Sequence, residues 1–182
     1  TTTTSLPISS KRKYCWKKQK TDKRDKHSFF YLDESDLNNS NVDLRNKCPQ
    51  VYNQGSLGSC TANAICGAYE FDYMKKNNKE FMPSRLFLYY NERVIENTVN
   101  SDSGAELRDG MKSINKIGVC NESMWPYDTS KFTVKPTDEC YKEAINNESL
   151  QYNSLKQNLE QLRSCLLLGL PFVFGFVVFE SF

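Results

Sequence analysis

Cys60 has the sequence surroundings of a nucleophilic thiol. It follows a turn-rich loop, residues 54–59, and opens a stretch with helical periodicity. The first turn of a helix has N–H groups without acceptors and a partial positive charge, and both favour the thiolate form of a cysteine. Gln54 precedes Cys60 in the same loop, and its side-chain amide is a candidate donor to an oxyanion formed beside the sulfur. The spacing therefore predicts a reactive thiol with a polar partner.

A purely structural interpretation of these two residues stays open. Free cysteines are among the most buried residue types, and Cys60 fits a small core position as well. Gln54 is then simply part of a turn. The two interpretations differ in one observable, because a reactive thiol needs solvent access and a structural one does not.

Apolar periodicity predicts a helix directly after Cys60. Ala64, Ala68, Phe71 and Met74 recur at steps of three and four residues and define one apolar face. The lysines and the Asn pair within residues 75–79 are typical of a helix C-terminus. This helix would hold Cys60 at its N-terminal end.

Four further elements are predicted around this helix. Residues 83–96 form a helix with Pro in its first turn, and residues 107–117 form another with Gly118 as its C-cap. Residues 154–168 have the leucine spacing of an amphipathic helix, and the aromatic and β-branched residues 172–179 read as a strand buried on both faces. That apolar run is shorter than the roughly 20 residues of a membrane span, so we expect no membrane partner.

An ordered series of motifs resembles the first half of a papain-like cysteine protease. The likeness is strongest to the cathepsin-like branch of bacteria and large DNA viruses, and it covers residues 42–182. The resemblance implies an α+β fold, with a helical left domain and the first strand of a β-rich right domain. The motifs, in chain order, are Val42-Asp43-Leu44-Arg45, Cys48-Pro49-Gln50-Val51, Gln54-Gly55, Gly58-Ser59-Cys60-Thr61-Ala62, Pro83-Ser84-Arg85-Leu86-Phe87-Leu88-Tyr89-Tyr90 and Glu122-Ser123-Met124-Trp125-Pro126-Tyr127-Asp128.

The resemblance also assigns roles to individual residues. Cys60 is implied to be the nucleophile, and Gln54 the side chain of the oxyanion hole, acting together with the Cys60 backbone N–H. Gly58 and Ser59 match the loop that borders the substrate cleft. Gly104 resembles the glycine whose backbone pairs with the substrate. The family needs no cofactor and no metal, and we expect neither here.

The chain departs from the family pattern in two places. Leu57 stands where relatives usually have a cysteine that forms a disulfide. The family's general base is a histidine in the second half of the fold, oriented by an asparagine, whereas His27 is the single histidine of this chain. An imidazole stabilises the thiolate and returns a proton to the leaving amine. We therefore expect the 182 residues alone to be inactive, and the gene product to continue past Phe182.

Residues 1–41 form a basic N-terminal extension. Between Lys11 and Lys26 the net charge is +7, whereas the whole chain is +2, so the remainder carries −5. A basic arm beside an acidic body is attracted to it, and by position the extension resembles a prosegment that crosses the cleft. Two alternatives remain: a solvated tail, and an arm that binds nucleic acid through its basic and aromatic residues, which we rank last. The body is divided into residues 42–168, the helical domain, and residues 169–182, the truncated start of the β-rich domain.

The seven cysteines are an odd number, as expected if one is a free nucleophile. Cys48 is the best candidate for a disulfide, although the sequence does not name its partner. Cys66 and Cys165 are expected to be buried free thiols. A zinc site is not expected, because no CxxC pair occurs and one histidine is too few for the common ligand sets.

These patterns favour a cysteine-type peptidase that acts on peptide or protein substrates through Cys60, in a precursor-like or truncated form. The alternative is a non-catalytic binding or regulatory module with the same fold. The extension over the cleft is the expected intramolecular partner. Relatives of this kind are lysosomal, secreted or virion-associated, and the sequence does not choose between these locations.

Overall fold

The computed structural model describes residues 15–31, 35, 41–148 and 151–179. Parts of the predicted N-terminal extension, namely residues 1–14, 32–34 and 36–40, and the last three residues of the predicted β-rich segment, 180–182, fall outside this range. The elements in chain order are β1 (His27–Ser28), a 3-10 turn (Arg45–Lys47), α1 (Cys60–Asn77), α2 (Arg85–Ile95), α3 (Leu107–Ile117), a 3-10 turn (Thr129–Lys131), α4 (Asp138–Ala144), a 3-10 turn (Ile145–Asn147), β2 (Ser154–Leu155) and α5 (Leu159–Leu167).

The core lies between α1, α2 and α3, which pack on one another. The predicted helices after Cys60, around residues 83–96 and at residues 107–117 are all present, and Gly118 ends α3 at a φ of +77°. Asn78 closes α1 in the left-handed conformation, as the Asn pair indicated. The core is formed by the following buried apolar residues: Leu57, Ala62, Ile65, Cys66, Phe81, Leu86, Phe87, Leu88, Tyr89, Ile114, Val119, Cys120, Cys140 and Ala144.

The predicted buried face of α1 is only partly right. Phe71 is buried, but Ala64 is exposed, and the buried side runs through Ala62, Ile65 and Cys66 instead. Alanine is compatible with either environment, so the alanine spacing did not identify the face. The larger Ile65 side chain, which packs into the core, marks it correctly.

α2 is buried almost all round and begins at a well-formed cap. The Ser84 hydroxyl accepts a hydrogen bond from the Phe87 N–H at 3.2 Å, which satisfies one of the free donors at the helix start. Arg85, Glu92 and Arg93 are buried along with the apolar residues of the helix. Buried charges of this kind require partners, and these partners organise the cleft described below.

The predicted helix over residues 154–168 starts later than expected. Ser154–Leu155 instead pairs with His27–Ser28 as a two-stranded parallel sheet, and Asn158 caps α5 by accepting the Gln161 N–H at 2.8 Å. Leu159 is 71% exposed, so the leucine spacing did not identify the buried side. Local hydrogen bonding at the cap and strand pairing with a distant segment override the periodicity.

The predicted strand over residues 172–179 is not formed among the described residues. Residues 171–179 have no strand partner, and Phe174, Phe176 and Phe179 are more than half exposed. The rings of Phe174 and Phe176 lie side by side at 5.9 Å, because alternate side chains of an extended chain share a face. A strand needs a neighbouring strand for its backbone hydrogen bonds, and the described residues supply none.

All seven cysteines are free. The disulfide expected for Cys48 is therefore wrong: Cys48 is an exposed free thiol, whereas Cys66, Cys120, Cys140 and Cys165 are buried free thiols. The Cys48 thiol donates to the Leu44 carbonyl at 3.3 Å instead. Cys66 and Cys165 are buried free thiols, as predicted.

Candidate active site

Cys60 is the first residue of α1 and is half-buried. Its neighbour Ser59 precedes the helix and is fully buried. The Ser59 hydroxyl hydrogen-bonds with the Tyr127 hydroxyl and accepts from the Asn63 amide at 3.0 Å. The Ser59 side chain therefore faces the core rather than the cleft, so any contact of this residue with a substrate has to be through its backbone.

Burial raises the pKa of the Cys60 thiol above its ordinary value. Backbone N–H groups of Cys15 and Thr61 act in the opposite direction, because each stabilises the thiolate. The expectation that the helix start alone makes this thiol more acidic is therefore wrong for this arrangement, since desolvation outweighs the N–H donors. The placement at the helix start is as predicted.

Gln54 donates from its side-chain amide to the Leu57 carbonyl at 3.0 Å. Its backbone carbonyl accepts from the Tyr127 hydroxyl at 3.0 Å. These two bonds shape the loop that leads to Cys60. The amide group has a second N–H, and its role as an oxyanion donor remains a prediction.

A hydrogen-bonded bridge joins the two walls of the cleft. The Gly58 N–H donates to Asp102 Oδ1 at 2.9 Å, and the Tyr89 hydroxyl donates to the same oxygen at 2.7 Å. Tyr89 in turn accepts from the Gly104 N–H at 3.1 Å. The loop with Leu57, which lacks the family's disulfide cysteine, is thus tied to the residue 102–104 loop without a covalent bond.

Arg85 stabilises the loop that leads to Cys60. Its guanidinium pairs with Glu122 at 2.8 Å and lies over the rings of Tyr52 and Tyr127, at 4.8 and 4.1 Å from their centroids. It also donates to the Asn53 carbonyl at 3.3 Å. Both charged side chains are almost fully buried, so this pair fixes the entry to Cys60 in one arrangement.

Arg93 stabilises the opposite wall of the cleft. This residue is completely buried, and its guanidinium donates to the carbonyls of Val99 at 2.7 Å and Ser101 at 3.3 Å and to that of Phe132. It stacks on the Tyr89 ring at 4.1 Å. The loop that carries Asp102 and Gly104 is therefore anchored on α2.

Glu92 lies beneath the start of α1. It is fully buried, and its Oε2 accepts from the Thr61 hydroxyl at 2.8 Å, one residue after Cys60. Burial raises the pKa of Glu92 to about 8. Its Oε1 has no hydrogen-bond partner among the described residues, which is consistent with a neutral carboxylic acid at neutral pH.

Residues 15–31, called the N-terminal arm below, begin inside the cleft. A Cβ built on Gly104, whose φ is +68°, would lie 1.8 Å from the Cys15 carbonyl oxygen, and one built on Gly58 would lie 2.8 Å from the Cys15 sulfur. Only glycines allow this approach. The Lys17 N–H donates to the Ala105 carbonyl at 3.1 Å. A stretch of peptide backbone therefore occupies the cleft beside the glycine predicted to pair with substrate.

Further contacts hold the arm along the body. Trp16 packs on Gly175, where a Cβ would lie 2.3 Å from the ring. The Lys17 ammonium pairs with Glu96, in the sense expected for a basic arm on an acidic body. Arg108 and Asp25 pair at 2.6 Å with the charges reversed. The prediction that the extension crosses the cleft agrees with this placement.

The other predicted features concern His27, metal binding and membrane association. His27 is exposed on β1 and pairs with Ser154. Within the described ranges, no group of three or more His, Cys, Asp or Glu side chains could hold a metal ion. In the same residues no helix is long and apolar enough to cross a membrane.

Sequence reasoning missed the residues that build the cleft walls, namely Arg85, Glu92, Arg93 and Asp102. A signal existed for three of them, because Arg85, Glu92 and Arg93 recur at helical spacing within an otherwise apolar helix, and buried charges in such a helix must be paired. Asp102 had no local signal, since its partners Gly58 and Tyr89 are distant in sequence.

The chain was compared with known proteins, and no family model matches it. It is 53% identical over 138 residues to an uncharacterised peptidase C1-like protein of Acanthamoeba polyphaga mimivirus, covering 71% of this chain and 44% of that protein. The chain thus spans less than half the length of this curated relative.

Solved structures give a second comparison. Xylellain, a cysteine protease from Xylella fastidiosa, is 40% identical with a TM-score of 0.77, and the match covers 91% of this chain and 67% of that chain. Digestive procathepsin L 3 of the Tenebrio molitor larval midgut is 18% identical with a TM-score of 0.54, over 68% of this chain and 40% of that chain, which shows the shared fold alone. Fold, cleft and the xylellain match agree, and this chain belongs to the papain-like cysteine protease family.

Proposed function

We propose that this chain carries the nucleophile half of a cysteine-type peptidase that hydrolyses peptide bonds through Cys60. One observation supports this most directly: an extended peptide segment of the protein itself, Cys15 to Lys17, already lies in the cleft beside Cys60 and hydrogen-bonds to the Ala105 carbonyl. A cleft that accepts this backbone has room for the backbone of a peptide or protein substrate.

The proposed reaction follows from the groups around the sulfur. The Cys60 thiolate attacks the carbonyl carbon of the scissile bond, and the oxyanion receives hydrogen bonds from the Cys60 backbone N–H and the Gln54 amide. A protonated imidazole then gives its proton to the leaving amine, and water hydrolyses the acyl-enzyme. His27 lies exposed on β1, so we propose that the imidazole and its asparagine partner come from residues outside these 182.

We further propose that the described form is latent, with the arm as a prosegment-like inhibitor. The arm fills the cleft at Gly58 and Gly104. The raised pKa of Cys60 lowers the fraction of reactive thiolate at neutral pH. Removal of the arm would expose the Cys60 sulfur to solvent and so lower the pKa of the thiol. Gly104 and the Ala105 carbonyl would then be free to pair with substrate.

The second candidate is a non-catalytic module that binds partners with the same cleft. The raised thiol pKa and the occupied cleft favour it, because both describe a protein that does no chemistry in this state. The two candidates differ in whether Cys60 is needed for turnover.

The deciding experiment compares Cys60→Ala with Cys48→Ala in the full gene product. Cys48 is the matched control, because it is a free thiol exposed on the surface. Hydrolysis of a fluorogenic peptide library is measured in the presence of reductant, before and after limited proteolysis of the arm. We expect the wild type and Cys48→Ala to gain activity on arm cleavage and Cys60→Ala to stay at background. Hydrolysis by Cys60→Ala at the wild-type rate would refute the role of Cys60, and no hydrolysis by any form would support the binding module.

A further inference from the structure

Cys15 places a second thiol at the nucleophile. Its sulfur lies 2.8 Å from the position of a Cβ on Gly58, two residues before Cys60. Its backbone N–H acts on the Cys60 sulfur directly, as one of the two groups that favour the thiolate. Cys15 and Cys60 are both half-buried, so small thiol reagents can reach this pair.

The residues that follow Cys15 hold it in this place. Trp16 packs on Gly175, and Lys17 is fixed twice, through its N–H to the Ala105 carbonyl at 3.1 Å and through its ammonium to Glu96. A tethered group of this kind has an effective concentration on the order of millimolar or higher at its partner. Cys15 therefore competes well with any thiol in solution for a bond to Cys60.

The other cysteines do not offer an accessible pair. Cys120 and Cys140 are hydrogen-bonded neighbours, but both are buried. Cys66, Cys120, Cys140 and Cys165 are buried, and Cys48 lies exposed on the surface. Oxidation by a small disulfide reagent can thus act on Cys48 as an isolated thiol, and on Cys15 and Cys60 as neighbours.

We propose that Cys15 and Cys60 form a reversible disulfide that fastens the N-terminal arm in the cleft. The bond itself is independent of peptidase activity. Its consequence, a covalent latent state that only a reductant can open, rests on the proposed function. The oxidant belongs to the class of small disulfides, with glutathione disulfide as the probe.

Two thiol–disulfide exchanges make the bond. The thiolate of one cysteine attacks glutathione disulfide, which forms a mixed disulfide and expels one glutathione thiolate. The thiolate of the other cysteine attacks the protein sulfur of that mixed disulfide, which forms the Cys15–Cys60 bond and expels the second glutathione. Two protein thiols lose two protons and two electrons in total, and glutathione disulfide is reduced to two glutathione molecules.

The test is peptide mapping of the 182-residue chain without reductant, after incubation with glutathione disulfide and trapping of free thiols. We expect a cross-linked peptide pair joining Cys15 to Cys60, in at least tenfold excess over glutathionylated Cys60, and its loss on addition of dithiothreitol. In Cys15→Ser, glutathione should remain on Cys60. Cys48→Ser is the matched control and should form the same cross-link as the wild type.

Two results would overturn the inference. One is a wild-type map in which Cys60 retains glutathione while Cys15 is free. The other is a Cys15 cross-link to Cys48 in place of Cys60. Should Cys15→Ser fail to fold, the wild-type map still decides. Peptide hydrolysis by the full gene product, measured separately in dithiothreitol, tells the two proposals apart, since a cross-link without any peptidase activity would remove the proposed function and leave the disulfide standing.

Discussion

The cleft walls and the N-terminal arm are held by different kinds of contact. The walls rest on buried polar groups, with Arg85 and Glu122 at 9% and 14% side-chain exposure. The arm's own members of its ion pairs are more exposed, with Lys17 at 36% beside Glu96 and Asp25 at 21% beside Arg108, and its parallel strand pair has only two residues on each side. Buried pairs are costly to break, and exposed ones contribute little. The arm can therefore leave the body without unfolding it.

The difference matches what each region has to do under the proposed function. A nucleophile, its oxyanion donors and a substrate-pairing loop must keep their relative positions through every turnover, which buried contacts ensure. An inhibitory segment must be removable, so weak and solvent-accessible contacts suit it.

The largest expected effect comes from Arg85→Ala, which leaves the buried Glu122 carboxylate without its partner. We expect a loss of about 3–5 kcal/mol in the free energy of unfolding, measured by urea denaturation. Lys112→Ala is the matched control, because Lys112 forms a more exposed pair with Asp109 at 3.2 Å, and it should cost less than about 1 kcal/mol. Equal losses of unfolding free energy in the two variants would contradict the distinction between the buried ion pairs of the walls and the more exposed ones.

Titration of Glu92 is expected to make the free energy of unfolding depend on pH. The pKa of Glu92 is raised from 4.5 to about 8 in the folded chain, so the folded state binds this proton more tightly than the unfolded state. The stabilisation is fully present below about pH 4.5 and is lost as pH rises towards 8 and above.

Glu92→Gln should remove this dependence, because glutamine stays neutral and still accepts from the Thr61 hydroxyl. We expect the wild type, relative to Glu92→Gln, to lose on the order of a few kcal/mol of unfolding free energy between pH 5 and pH 8.5, measured by urea denaturation across that range. A constant difference between the two proteins at every pH would mean that Glu92 does not titrate in this window.

Tyr89→Phe should weaken the bridge across the cleft while keeping the ring in the core. The variant leaves the Gly104 N–H without an acceptor and removes one donor from Asp102, which we expect to cost about 1–3 kcal/mol. Hydrogen exchange at Gly104 should rise more than exchange within α3. Tyr141→Phe is the comparison, since its hydroxyl bonds only to Asn91 among the described contacts and lies on another side of α2.

The smallest effect on global stability is expected for Arg108→Ala. It removes the pair with Asp25 at 2.6 Å, in which Asp25 keeps 21% of its side-chain surface in contact with solvent, and should cost about 1 kcal/mol of unfolding free energy. The arm, however, should become several times more sensitive to limited proteolysis. Arg45→Ala, which removes an exposed pair with Asp43, is the control for loss of an arginine elsewhere on the surface. An arm that stays as resistant as in the wild type would show that Trp16 and Lys17 are sufficient anchors.

Local patterns predicted those parts of the fold that depend on local interactions. The start of α1 at Cys60, its end near Asn78 and the bounds of α3 follow from capping and periodicity within a few residues. The absence of strand pairing over residues 172–179 and the late start of α5 have the opposite origin. Strand formation and the pairing of Ser154 with His27 depend on distant partners, which no local window contains.

Some features of the candidate site were predictable from the sequence, and others depend on contacts between distant residues. The positions of Cys60, Gly58 and Gly104 in one cleft were expected from family resemblance, which carries long-range information. The direction in which the pKa of Cys60 is shifted was not, because it depends on how far the folded protein desolvates the sulfur. Asp102 was equally inaccessible, since it acts only once Gly58 and Tyr89 have been brought together.

Because Asp102 and Tyr89 link the two cleft loops through hydrogen bonds, this link does not depend on the redox potential of the surroundings. Where a cystine would break in a thiol-rich medium, hydrogen bonds to a carboxylate persist, so the cleft keeps its shape under the same conditions that keep a nucleophilic sulfur reduced. The Cys15→Ser variant, which cannot form the proposed disulfide, should accordingly show the same circular dichroism and melting temperature with and without millimolar dithiothreitol.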